Sequence, residues 1–330
     1  MSILVTGGAG YIGSHMVLEL IDQGEEVVVI DNLTTGFEWA VATGARLHVG
    51  DVGDESFVAS VIRNHKVNAI IHFAGSIVVP ESVADPLGYY SNNTVKSRAL
   101  IATAVACGVP HMIFSSTAAV YGNPKVVPVT EDAPLSPMSP YGSSKLMTEI
   151  MLRDTAAAHD FAYGALRYFN VAGADPKGRS GQSTPAATHL IKVACQTALG
   201  QRPQMSVFGE DYETRDGTCI RDYIHVSDLV AAHWSALKHL RATNASLTAN
   251  CGYGRGFTVK EVVETVKGVS GVDFAVEKAA RRPGDPAEIV ANVDRIHATL
   301  DWQPKYQDLA GIVENALDWE RRLHNRVKAA

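Results

Sequence analysis

The chain opens with a strand-length apolar run, Ser2–Thr6, breaks over a glycine-rich turn, and resumes a helical pattern over Tyr11–Asp22 that Gly24 stops. Glu26–Ile30 is a second apolar run and ends at Asp31. Further runs of strand length stand at Ala45–Gly50, Ala69–Phe73, His111–Ser115 and Ala162–Tyr168, and the intervals include helical patterns such as Val95–Cys107. Short, almost wholly apolar runs alternating with helices predict strands buried on both faces. That is the signature of an α/β chain with a doubly wound parallel sheet.

From about Val171 the texture changes. Gly, Pro, Ser and Thr cluster through Gly173–Pro185, predicting a loop over the mouth of the sheet. A helix over Leu190–Leu199, an acidic loop over Gly209–Gly217 and a helix over Ser227–Leu240 follow. Thr258-Val-Lys-Glu261 has the spacing of a capping box and opens another helix. Gly284–Pro286 reads as a loop and Leu309–Leu323 as a final amphipathic helix. The expected organisation is a nucleotide-binding domain over residues 1–170 and a smaller lobe over 171–330, with some chain crossing back.

In an open sheet of this kind ligands bind beyond the carboxyl ends of the strands. The residues to inspect are Asp31 and Asn32, Asp51 and Val52, Phe73-Ala74-Gly75, and Ser115-Ser116-Thr117. The first turn, Val5-Thr-Gly-Gly-Ala-Gly-Tyr-Ile-Gly13, sets glycines at Gly7, Gly10 and Gly13, with Tyr11 and Ile12 opening the helix. Without a Cβ the backbone can approach a pyrophosphate, and the helix aims the positive end of its dipole there. Asp31 stands where a carboxylate accepts the adenosine ribose hydroxyls. With no arginine beside it, it would repel a 2′-phosphate, so the expected cofactor is NAD and not NADP.

Composition narrows the setting. A hydrophobic fraction of 46%, a charged fraction of 19% and a net charge of −6 describe a globular chain with no electrostatic case for nucleic acid or an anionic membrane. No apolar run nears the ~20 residues of a bilayer span. A strand beginning at residue 2 leaves no room for a signal peptide, and Cys107, Cys195, Cys219 and Cys251 lie far apart, so free thiols and a cytoplasmic setting are expected. The histidines show no metal-binding spacing, and no metal site is assigned.

The second chemical signal is Ser139-Pro-Tyr-Gly-Ser-Ser-Lys145, which puts Tyr141 and Lys145 one turn apart on a helical face. A tyrosine with an ordinary pKa of ~10 needs a drop of about 3 units to act as a base near neutrality, and a neighbouring ammonium and a cationic nicotinamide favour that direction. A hydroxyl from Ser115, Ser116 or Thr117 could bridge substrate oxygen and phenol.

Together these residues resemble the extended short-chain dehydrogenase/reductase superfamily and, more narrowly, the UDP-glucose 4-epimerase family. Phe73-Ala-Gly75, Tyr89-Tyr-Ser-Asn-Asn93, Val120-Tyr-Gly122, Arg167-Tyr-Phe-Asn170, Arg221-Asp-Tyr-Ile-His-Val226 and Arg281-Arg-Pro-Gly-Asp285 are similar to that family's successive signatures, from end to end. The resemblance implies a Rossmann sheet, tightly bound NAD, a UDP-sugar substrate and a homodimer. It implies Thr117, Tyr141 and Lys145 as the catalytic trio. Asn92 and Tyr168 would hold the nicotinamide half, with Ser115 nearby. Asn170 would touch the sugar diphosphate, and His189 and Leu190 would lie beside the uracil, with Val207 and Phe208 in the same substrate set. Arg221, Arg282 and Asp285 would hold the diphosphate and uridine ribose. One departure is visible: some family members carry a lysine two residues after Phe-Ala-Gly, and here that residue is Ile77.

The rival reading within the superfamily is a nucleotide-sugar dehydratase, which needs a proton-transferring pair directly after Thr117. Ala118 and Ala119 cannot supply one. A net dehydrogenase with exchangeable NAD competes as a second enzyme, and a catalytically silent NAD-binding regulator competes from a different class. The regulator would tend to lose Tyr141 or Lys145, and both are present. Ile289 stands where the resemblance places control over room for an N-acetyl group. Its intermediate size leaves N-acetylhexosamine, pentose and uronate UDP-sugars open as substrates.

Overall fold

The computed structural model describes residues 1–185, 187–282 and 284–329, with side chains through Arg326. Its strands are β1 (Ser2–Thr6), β2 (Glu26–Asp31), β3 (Arg46–Val49), β4 (Val67–His72), β5 (His111–Thr117), β6 (Ala162–Tyr168), β7 (Asn170–Ala172), β8 (Met205–Phe208), β9 (Ile220–His225), β10 (Leu247–Cys251), β11 (Gly256–Thr258), β12 (Val276–Ala279) and β13 (Glu288–Ile289). The helices are α1 (Tyr11–Asp22), α2 (Glu55–His65), α3 (Val79–Ala84), α4 (Pro86–Tyr89), α5 (Lys96–Ala106), α6 (Pro140–Ala158), α7 (Leu190–Ala198), α8 (Val226–Thr243), α9 (Val259–Ser270), α10 (Asp294–Thr299) and α11 (Leu309–Ala329).

Seven strands form one parallel sheet in the order β10-β6-β5-β4-β1-β2-β3. The order reverses between β1 and β4, so the crevice of a doubly wound Rossmann sheet opens there. Alternation within each strand feeds two cores. Ile3, Val5, Val27, Val29, Ala69 and Ile71 face one side with α1 and α8, whereas Leu4, Val28, Ile30 and Ile70 face the other with α2, α5 and α6. Burial on both faces explains why these strands read as continuous apolar runs. A third core gathers residues of α7, α9 and α11. Beside it β7, β9, β11 and β13 make a small sheet, and β8 pairs with β12.

Two boundaries differ from the sequence expectation in ways that bear on the site. β5 runs two residues past Ser115, so Thr117 closes the strand and caps the short 3-10 turn Ala118–Val120. The helical pattern expected from Val95 begins earlier, at Pro86, and passes through a π turn over Tyr90–Val95. The chain expected to cross back from beyond Val171 does so as a strand, β10, which pairs with β6 at the edge of the large sheet.

Candidate active site

The glycine turn is built by close backbone approach. Gly7 has a φ of +72°, and a Cβ there would sit 2.7 Å from the Ala74 nitrogen. A Cβ on Gly13 would meet the Gly7 carbonyl oxygen at 2.0 Å, so only glycine lets α1 start this near the turn. Asp31 ends β2 with both carboxylate oxygens taking backbone N–H groups, from Ala9 at 2.9 Å and Leu33 at 2.8 Å. Asn32 is exposed and accepts from the Thr34 N–H. At the next strand end Asp51 is ion-paired with Lys96 at 2.6 Å, and Val52 is buried. Tyr11 donates its phenol to the Gly173 carbonyl at 2.7 Å, and Ile12 packs against the first core.

The Phe73-Ala74-Gly75 segment runs from the glycine turn to α6. A Cβ on Gly75 would lie 4.0 Å from Lys145 Nζ. The cradle therefore fits a flat, elongated dinucleotide: its narrow points are closed to any side chain, and a carboxylate and a helix N-terminus stand where ribose and pyrophosphate would be held. Gly10 and Gly13 complete the turn. Ile77 is half-exposed and contributes no charge.

α6 starts cleanly, with the Ser139 hydroxyl accepting from the Gly142 N–H and Pro140 in the first turn. Tyr141 and Lys145 are both buried. Lys145 Nζ donates to the Ser115 carbonyl at 3.0 Å and lies 4.9 Å from the centre of the Phe114 ring. Burial brings its pKa down to about 8. Burial pushes the Tyr141 phenol above its ordinary value, and the Thr117 hydroxyl acts against that rise.

The three hydroxyls at the end of β5 divide their work. Ser115 Oγ donates to Tyr168 Oη at 2.9 Å, tying two of the expected cofactor residues together. Ser116 donates to Glu149, which forms a buried ion pair with Arg167, so it serves the core. Thr117 faces Tyr141.

A polar cluster, of which the sequence reading gave a role only to Asn92, holds this region in place. Asn93, buried in the π turn, accepts from the Ser76 N–H at 2.7 Å and donates to the Ser76 carbonyl and to Ser144 Oγ. Ser144 in turn donates to the Tyr141 carbonyl. Asn92 donates to Ser76 Oγ at 2.9 Å. The loop after β4, the π turn and α6 are thus fixed as one unit. The adjacent pair Asn92-Asn93 inside an otherwise helical stretch was the available signal.

The second group of expected residues gathers around β9. Arg221 is ion-paired with Asp285 and donates to the Ile220 carbonyl. The Arg282 guanidinium lies 3.9 Å from the centre of the Phe208 ring, at the end of β8, with Val207 buried beside it. Asn170 is in register with Tyr223 of β9, two residues from Arg221. This group reaches toward the start of α6, since a Cβ on Gly284 would lie 3.7 Å from Met138 Cε, three residues before Tyr141. Pro283 of the Arg281–Asp285 segment lies outside the described residues. His189 caps α7 and Leu190 begins it. A recess brings Tyr11, Asn170, His189 and Leu190 together, but its walls include neither Tyr141 nor Arg282.

Among the described residues no group of three or more His, Cys, Asp or Glu is placed to hold a metal ion, and no helix is long and apolar enough to cross a membrane.

A Rossmann crevice with a buried Tyr–Lys pair at one strand end and an arginine cluster on an added lobe defines a nucleotide-sugar-modifying class of the short-chain dehydrogenase/reductase type. The chain belongs to the NAD dependent epimerase/dehydratase family, whose model matches residues 3–252. It is 57% identical over 328 residues to the UDP-glucose 4-epimerase of Azospirillum brasilense, covering 99% of this chain and 94% of that one. A crystal structure of a UDP-glucose 4-epimerase superposes with a TM-score of 0.96 at 45% identity, covering 98% of this chain and 99% of the other. The Bifidobacterium longum UDP-glucose 4-epimerase in complex with NAD+ and UDP does so with a TM-score of 0.93 at 34% identity, over 98% of this chain and 99% of its own.

Proposed function

We propose that the protein interconverts UDP-glucose and UDP-galactose by inversion at C4 through a 4-keto sugar. The observation that carries this reading is the buried Tyr141–Lys145 pair facing Thr117, on a strand end followed by Ala118 and Ala119. Bound NAD would supply the hydride acceptor and donor at C4. Gly7, Gly10, Tyr11, Ile12, Gly13, Asp31, Asn32, Asp51, Val52 and the Phe73–Gly75 segment would hold it, with Asn92, Ser115 and Tyr168 at the nicotinamide end.

Tyr141 takes the proton of the C4 hydroxyl as the sugar is oxidised and returns it on reduction. Lys145 supports the charged phenol, and the Thr117 hydroxyl bridges phenol and sugar oxygen. Inversion requires the keto sugar to turn its other face to the same reactive centre. That calls for firm anchorage at the nucleotide end, by Arg221, Arg282 and Asp285 with Phe208, Val207, Asn170, His189 and Leu190, and for loose contacts around the hexose. Alanines after Thr117 deny the intermediate a route to lose water. Deuterium at C4 of UDP-galactose is expected at C4 of the UDP-glucose formed; solvent hydrogen at that carbon would overturn the mechanism.

In this reading residues 1–170 carry the cofactor and 171–330 carry most of the nucleotide-sugar contacts. A homodimer is proposed because Val83, Leu87, Val95, Met147 and Ile150 are exposed on neighbouring helical segments, with Met147 Sδ 3.9 Å from the Thr94 hydroxyl. All four cysteines are free thiols, which supports a reducing compartment such as the cytoplasm.

A further inference from the structure

We infer that an aromatic bolt between the loop after β2 and the C-terminal helix sets how long the dinucleotide stays bound. The inference rests on the NAD-binding reading above.

Two loops roof the start of α1. The first, residues 32–40, lies flat on the glycine turn: a Cβ on Gly36 would meet the Ala9 carbonyl carbon at 2.8 Å, and the Phe37 N–H donates to the Ala9 carbonyl at 3.0 Å. The second follows β7. It is fixed to α1 by the Tyr11–Gly173 hydrogen bond, by Ser14 Oγ and Ser180 Oγ 2.7 Å apart, and by Arg179 bridging Asp22 and Asp175. A recess in front of α1 has Gly10 and Ser14 as its floor, Thr35 and Phe37 on one wall, and Ser183 and Thr184 on the other. A pyrophosphate held at the α1 N-terminus lies between these walls.

The walls are joined by one helix. Trp319 of α11 stacks on Trp39 of the first loop, with ring centres 6.3 Å apart. Its indole N–H donates to Ser183 Oγ of the second loop at 3.2 Å. Gly181 lies so close to the Trp319 ring that a Cβ there would fall 2.2 Å from it. Phe37 stacks on the near side of Trp39 at 5.1 Å, and the Arg326 guanidinium lies 4.0 Å from the Trp39 ring centre. Leu33, at a φ of +59°, holds this loop in a left-handed conformation that a leucine keeps only when its surroundings enforce it. Parting the walls to release the ligand therefore means breaking the Trp39–Trp319–Ser183 contact and letting the first loop relax. Trp39 and Trp319 are positioning residues: they touch the loops, and the loops enclose the cofactor.

The test loads the full-length protein with radiolabelled NAD, chases with excess unlabelled NAD, and follows the label retained. Trp319→Ala and Trp39→Ala should each speed release at least tenfold, Trp319→Phe, which keeps the stack on Trp39 and loses the N–H to Ser183, should fall between the parent and Trp319→Ala, and the double alanine variant should release no faster than about twice the faster single one. Turnover per NAD-loaded site should stay within twofold of the parent. Release rates within twofold of the parent in both single variants would overturn the inference. So would multiplying effects accompanied by an equal loss of melting temperature in the NAD-free protein, which would mark a purely structural role. Should Trp319→Ala fail to fold, half-exposed Trp39 and surface Arg326→Leu carry the same test. A parent protein that bound no NAD would instead bring down the functional reading itself.

Discussion

Tyr141 sits in surroundings that oppose the charge its proposed role requires, because burial raises the phenol and brings the Lys145 ammonium down to about 8. The phenol can act only when a cationic group and a hydroxyl meet it, which makes each partner testable. Tyr141→Phe should fold normally yet lose about 10²–10⁴ in turnover, the range for removing a positioned acid–base group. Retention of a tenth of parental turnover would remove Tyr141 from the chemistry. Thr117→Ser should keep most activity and near-isosteric Thr117→Val should lose it; equal loss from both would mark Thr117 as packing. At the other end of the substrate, Arg282→Leu should raise KM for the UDP-sugar far more than it lowers kcat, since diphosphate contacts hold ground and transition states alike. The reverse split in steady-state kinetics would place Arg282 at the reacting carbon. The glycines, Asp31, Tyr141 and Lys145 stood out in the sequence because each proposed chemistry demands one residue type at one spacing, and the structure places them at the glycine turn, the end of β2 and the buried face of α6. Asn93 and Ser144 were not, since a polar side chain in a helix reads as a solvated one until its buried partners are seen.

At the scale of elements, legibility follows locality. The order of strands and helices through β6 was readable, as was the Thr258–Glu261 capping box, which is formed in both directions. The π turn over Tyr90–Val95 was not, because its one-residue surplus leaves the apolar period almost unchanged over so short a stretch. Nor was the pairing of β10 with β6 or the sheet around β9. Strands of two or three residues such as β13 and β7 carry no periodic signal, and their pairing is decided by partners 50 or more residues away. The exposed apolar strip on α3 to α6 is the element-scale feature with a consequence for assembly. Leu87, 77% exposed in the single chain, should be covered in a dimer. Leu87→Glu combined with Ile150→Glu is expected to shift sedimentation from dimer to monomer with the fold intact by circular dichroism. A parent protein that sediments as a monomer would sink the dimer outright.

For the whole molecule, three buried histidines tie stability to pH. His15 and His233 each use Nδ1 on a backbone carbonyl one turn earlier, Tyr11 at 2.7 Å and Leu229 at 2.8 Å. Among the described residues neither Nε2 has a partner. His72 is held between the Thr6 and Ser97 hydroxyls. Burial lowers all three, His15 and His233 to about 4 and His72 to about 3. In the unfolded chain each takes up a proton near pH ~6.5 that the folded chain refuses. The stability they contribute is therefore present in full above that value and is lost as the pH falls toward 4. Asp222 works in the opposite direction. Burial raises it to about 6 although it accepts N–H groups from Tyr253, Gly254 and Ala291, so near pH 5 the folded state holds a proton that the unfolded state releases. Three protons favouring the unfolded chain less one favouring the folded chain leaves about two from these four groups, and His189 and His225, lowered by burial in the same direction, add to them. Near pH 5, stability should then fall by at least roughly 2.7 kcal/mol for each unit of acidification. Against a total of about 5–15 kcal/mol, a slope of that size consumes the lower figure over about two units of pH. Urea unfolding followed at closely spaced pH values reads this slope directly. His233→Phe keeps a ring of similar size against Phe73 and Tyr168 and removes one titrating group, so its slope should lie below the parent's by about 1.4 kcal/mol per pH unit. A variant whose slope matched the parent's would show that His233 shares its protonation between folded and unfolded chains, and that the acid sensitivity of the fold lies elsewhere.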